Sequence, residues 1–64
     1  MRLDRKKIDL SMARKSIAVS DLAKVYGVSR ARMHTIICQR DVTTRTAGRL
    51  AKALGVDVTE IMED

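Results

Sequence analysis

The chain has 64 residues, 45% of them hydrophobic, with 13 Lys and Arg against 8 Asp and Glu and a formal charge of +5. So short a chain is expected to form one domain, residues 1–64, with a small core, because a domain of this size buries only about 60% of the surface its unfolded chain exposes. The basic excess favours a polyanionic partner such as nucleic acid, and a single aromatic residue, Tyr26, argues against a base-stacking platform for single strands.

Apolar residues recur at helical spacing nearly throughout, which predicts an all-α domain of five short helices. Leu3 and Asp4 stand as the residue before a cap and the cap itself for a first helix to about Lys15, with Ile8 and Met12 one turn apart and Leu10 and Ser11 blurring the apolar stripe. Ser20 is placed to cap a second helix, Asp21 to Tyr26, whose Leu22, Ala23, Val25 and Tyr26 supply a buried side. Gly27 stops it, since glycine takes a left-handed conformation without steric cost. Val28 then plugs inward, and Ser29 caps a third helix, Arg30 to about Cys38, with Met33, Ile36 and Ile37 inside and Arg30, Arg32, His34 and Thr35 outside. Gln39 to Thr43 reads as a loop. Thr43 or Thr44 caps a fourth helix carrying Ala47, Leu50, Ala51 and Leu54, and Gly55 ends it. Two readings of Gly48 inside that helix stay open, a close helix contact or a neutral position. Asp57 and Glu60 have capping-box spacing, which predicts a fifth helix from Val58 to Glu63 presenting Val58, Ile61 and Met62.

A glycine and a small apolar residue between two short helices make a tight turn that crosses them steeply, and Ala23 is small where they approach. The first helix of such a pair props the second outward. On Leu22, Ala23, Tyr26, Gly27, Val28, Ser29, Met33 and Ile36, and on the stretch RLAKALGVDVTEIME from Arg49 to Glu63, the chain resembles the lambda-repressor-like, Cro/CI-type (XRE) helix-turn-helix domains of bacterial and phage regulators. The resemblance covers nearly the whole chain. It implies a compact five-helix domain in which helices 2 and 3 form the helix-turn-helix and helix 3 enters the DNA major groove.

Carried onto this sequence, the resemblance makes Arg30, Ala31 and Thr35 base readers, with Arg32 and His34 beside them. Arginine can grip guanine O6 and N7 together, and the methyl groups of Ala31 and Thr35 suit a thymine methyl. Arg32 is open to either of two roles, a base contact or a phosphate contact. The expected phosphate contacts are Ser20, Ser29, Arg40, Thr43, Thr44 and Arg45, near helix starts whose free N–H groups favour anions. Many members of that family carry a phosphate-binding glutamine at the start of the second helix. This chain has Val19 there, so either Ser20 takes over that contact or the contact is absent.

The resemblance therefore implies a sequence-specific DNA-binding transcription regulator, a repressor of bacterial, phage or mobile-element origin, paired on double-stranded DNA as a homodimer through Val58, Ile61 and Met62. If Val58 and Ile61 serve the core instead, a monomer in solution is expected. Two other classes compete: a protein-interaction module of antirepressor or antitoxin type, and a DNA-bending recombination accessory protein. Catalysis is not expected, since no nucleophile with a base, no paired apolar carboxylates and no phosphate loop stand in the sequence. No cofactor, metal or small-molecule ligand is expected either: His34 and Cys38 lie four apart, but zinc needs three or four protein ligands. A single cysteine, no apolar run near the roughly 20 residues that span a bilayer and no apolar signal core lead to the expectation of a cytoplasmic protein without membrane contact.

Overall fold

A computed structural model describes residues 1–64. Four α-helices follow one another: α1 (Arg5–Arg14), α2 (Val19–Tyr26), α3 (Arg30–Cys38) and α4 (Thr44–Leu54), with one 3-10 turn at Val58–Glu60. None of them is long and apolar enough to cross a membrane.

Asp4 begins α1 by accepting hydrogen bonds from the N–H groups of Lys6 and Lys7 at 3.0 and 3.2 Å. Ile8, Ser11 and Met12 face inward, while Leu10 is 48% exposed. The blurred stripe thus resolves by leaving the leucine outside and burying the small serine. After Arg14 the chain reverses through Ser16, which has a positive φ of 53°.

The start of α2 lies two residues earlier than the sequence suggests, and Ser20 is not its cap. Ala18 occupies that place, and its own N–H donates to the Asp21 carboxylate at 2.9 Å while the Asp21 N–H donates back to the Ala18 carbonyl at 3.1 Å. Asp21 therefore organises the helix start alone, because alanine has no side-chain acceptor. Leu22, Ala23 and Tyr26 are buried, but Val25 is 69% exposed, against the expectation that it joins the core. Its place on the helix points away from the side shared by Leu22, Ala23 and Tyr26, and one apolar residue outside is an ordinary feature of a protein surface.

Sixteen apolar residues form one core in which Ile8, Leu22, Met33, Ile37, Leu50, Leu54 and Ile61 are almost fully enclosed. Val28 packs against this core half-buried. The fifth helix is absent as such. Its capping box exists, with the Asp57 N–H donating to the Glu60 carboxylate at 2.9 Å and the Asp57 carboxylate accepting from the Thr59 N–H at 3.0 Å. The turn stops after Glu60 because the backbone beyond it is engaged elsewhere: the Ile61 carbonyl accepts from Asp4 N–H at 2.9 Å, and Glu63 N–H donates to the Arg2 carbonyl at 3.0 Å.

Those bonds belong to a junction that the helical pattern does not announce. Met1 to Asp4 run extended between the α3–α4 loop and the C-terminal segment, with Leu3 N–H on the Arg40 carbonyl and Val42 N–H on the Met1 carbonyl, both at 2.8 Å. Leu3 is only 3% exposed, so its side chain anchors in the core the same residues whose backbone ties the two ends together.

Candidate nucleic-acid interface

The turn between α2 and α3 is built by two residues. Gly27 has φ 93°, in the left-handed region, and its N–H returns to the Ala23 carbonyl at 2.8 Å. Ser29 caps α3 by accepting the Arg32 N–H on its Oγ at 3.1 Å. A third contact, from α4, locks this geometry. Arg49 donates from Nη2 to the Tyr26 carbonyl at 2.7 Å, and its guanidinium carbon lies 4.2 Å from the centre of the Tyr26 ring. A cation thus sits at the C-terminal carbonyls of α2, where the helix dipole favours it. Sequence reasoning missed Arg49 because only the folded chain brings it to Tyr26.

Met33, Ile36 and Ile37 fix the inner side of α3. At about 100° per residue, Ala31 and Thr35 then point most directly away from the core, Arg30 and His34 share one flank, and Arg32 takes the other. All five are exposed, and no carboxylate belongs to this helix. The Thr35 hydroxyl donates to the Ala31 carbonyl at 3.1 Å, so its proton is spent within the helix and its methyl group is left unengaged. Cys38 is exposed on the same outward side. Its thiol accepts from the Arg5 guanidinium at 3.0 Å. Arg5 is in turn held at 2.9 Å by Asp9, which strengthens its grip on its proton beyond the ordinary arginine value, so α1 spends this cation internally.

Where the first residue of α2 meets the first turn of α3, Val19, Arg30, Ala31 and His34 line an open recess. Ser20 is exposed beside it, in the first turn of α2. The second group of expected phosphate contacts lies beyond the other end of α3. Thr43 is the cap of α4, its Oγ1 accepting the Thr46 N–H at 3.2 Å and donating to the Thr46 hydroxyl oxygen at 3.0 Å. Thr44 and Arg45 follow, exposed, in the first turn. Arg40 is exposed in the preceding loop, with its Nε 3.6 Å from the Glu63 carboxylate. α3 is thus bracketed by two helix starts, each with side chains able to donate hydrogen bonds.

The C-terminal stretch is arranged differently from the expected pairing surface. Ile61 is fully enclosed and Met62 is 9% exposed, both within the core, leaving only Val58 half-buried. The acidic residues Asp57, Glu60, Glu63 and Asp64 gather in this stretch, away from the exposed residues of α3 in the sequence. Lys7 holds Asp64 at 3.0 Å and the Met62 carbonyl at 2.8 Å.

Comparison with curated proteins and with solved structures gives no match. A sequence profile of the Cro/C1-type HTH DNA-binding domain matches residues 7–64, the stretch holding all four helices but the first two residues of α1. With a glycine turn, a serine-capped outer helix and carboxylate-free α3, the chain belongs to the Cro/C1-type helix-turn-helix DNA-binding domains.

Proposed function

We propose that this DNA-binding regulator is a sequence-specific transcriptional repressor of bacterial, phage or mobile-element origin, acting in the cytoplasm, with α3 in the major groove of an operator. The observation that carries the reading is the exposed side of α3, where Arg30, Ala31, Arg32, His34 and Thr35 stand without a carboxylate among them. Arg30 reads a guanine through O6 and N7, and Ala31 and Thr35 let the helix approach the base edges. His34 lies beside Arg30, and Arg32, on the opposite flank, reaches a base or the adjoining backbone. Ser20 and Ser29 at one side and Arg40, Thr43, Thr44 and Arg45 at the other hold phosphates and set the register.

One α3 covers about half of such a site. A homodimer places two of them one DNA turn, about 34 Å, apart on an inverted repeat. With Ile61 and Met62 inside the core, Val58 alone is a small apolar contact. Pairing is therefore expected to depend on adjacent half-sites rather than on a large preformed interface.

Selection of bound duplexes from a randomised double-stranded library near 0.15 M salt tests the proposal. Enrichment of an inverted repeat is the expected result. Binding without enrichment, fading only as salt rises, overturns base reading. Arg30→Ala should weaken the enriched duplex by about 1–3 kcal/mol and relax preference at one base pair.

A further inference from the structure

The recess between α2 and α3 has a chemistry that phosphate contacts and the guanine contact leave unused. Two of its four lining residues, Val19 and Ala31, are aliphatic, and the other two, Arg30 and His34, are polar. Val19 is half-buried and packs against the core, so its position is fixed by the fold, while Ala31 is exposed at the most outward point of α3. A recess lined half by aliphatic and half by polar side chains suits an apolar group that stands beside polar ones. The major groove offers one such group among the base edges, the C5 methyl of thymine.

We propose that Val19 and Ala31 form the seat for a thymine C5 methyl next to the guanine read by Arg30, which makes Val19 a specificity-determining residue contributed by α2 rather than by α3. This inference rests on α3 reading the major groove. Arg30 and Ala31 are consecutive on α3 and both line the recess, so the guanidinium and the aliphatic seat stand side by side. The seat favours thymine over cytosine through the C5 methyl group, which cytosine lacks.

The test uses the full chain and the duplex enriched by the library selection, with each thymine replaced in turn by deoxyuridine, which removes only the methyl group. At one position per half-site the loss should weaken binding about fourfold, the factor that corresponds to uncovering one methyl-sized group. Val19→Ala and, separately, Ala31→Ser should bind the thymine and deoxyuridine duplexes equally. Ala31 is exposed, so its variant keeps the test sound if the change at Val19 disturbs packing, and a thermal midpoint reports that disturbance. Tolerance of deoxyuridine at every position, or an unchanged fourfold difference in both variants, overturns the proposal. A library that yields no preferred sequence overturns it too, and that result appears before any deoxyuridine duplex is made, so the loss of base reading is told apart from the loss of the methyl seat alone.

Discussion

Replacing Arg49 by alanine removes the contact that locks α4 onto the end of α2. Two interactions are lost together: a charged hydrogen bond to the Tyr26 carbonyl at 2.7 Å and a guanidinium 4.2 Å above the Tyr26 ring. A hydrogen bond to a charged group contributes about 1.5–3 kcal/mol, and the lower end applies because Arg49 is exposed. An exposed cation–π contact adds about 0.5–1 kcal/mol. The expected cost is therefore about 2 kcal/mol. A domain of 64 residues has roughly 3–10 kcal/mol in all, at about 0.05–0.15 kcal/mol per residue, so the substitution removes a large fraction of it. Urea unfolding followed by circular dichroism measures the loss. Tyr26→Leu in a double-mutant cycle separates the two parts, since the backbone carbonyl survives that change and the ring does not; a coupling of about 0.5–1 kcal/mol belongs to the ring. A cost for Arg49→Ala below about 0.5 kcal/mol, the range of ordinary surface changes, would refute the clamp.

Gly48→Ala should stabilise the fold by up to about 1 kcal/mol, raising the thermal midpoint by roughly 4–8 °C, because a Cβ at that position meets no atom within 4 Å; a lower midpoint would mean that the helix needs glycine there. Arg45→Ala should weaken every duplex alike and make the logarithmic salt dependence shallower by about one unit per chain, and an unchanged slope would remove Arg45 from the phosphate contacts. Asp57 has its carboxyl held below the usual carboxylate value by the Thr59 hydroxyl first and the Thr59 N–H second. The unfolded chain then binds the proton more readily, so this stabilisation is present above the ordinary carboxylate value and lost as pH falls through the lower folded one. Asp57→Ala should accordingly destabilise the protein at pH 7, with the gap to the parent narrowing in denaturant titrations as pH falls below the ordinary carboxylate value; a gap that stays constant with pH would contradict the cap.

The parts legible in the sequence are those decided within one or two turns of chain. Gly27 and Ser29 mark the bend and the start of α3 by their own conformational and capping chemistry, and the spacing of Met33, Ile36 and Ile37 is enough to orient that helix. Thr43 rather than Thr44 proves to be the cap of α4, a choice that neighbouring threonines leave open. Gly48 touches nothing that would favour the close-contact reading. What stayed illegible depends on distant partners. Ser20 reads as a cap because serine usually is one, yet Asp21 reaches back three residues to Ala18. The Asp57–Glu60 box was real, but whether the helix continued depended on Leu3, Asp4 and Arg2 claiming the backbone after Glu60. Ile61 and Met62 carried the same apolar pattern whether they faced a second chain or their own core, and only the tertiary packing separates the two.

The extended segment from Met1 to Asp4 has one more implication, for engineering. Since Arg2 meets Glu63 and Leu3 meets Arg40, both ends of these 64 residues emerge together beside the α3–α4 loop. A short peptide could join residue 64 back to residue 1 and turn the chain into a ring, with a new opening cut at the exposed reversal around Ser16. By the same geometry, a bulky fusion partner attached at residue 1 would stand beside Asp41 and Val42, next to the proposed phosphate contacts Arg40 and Thr43.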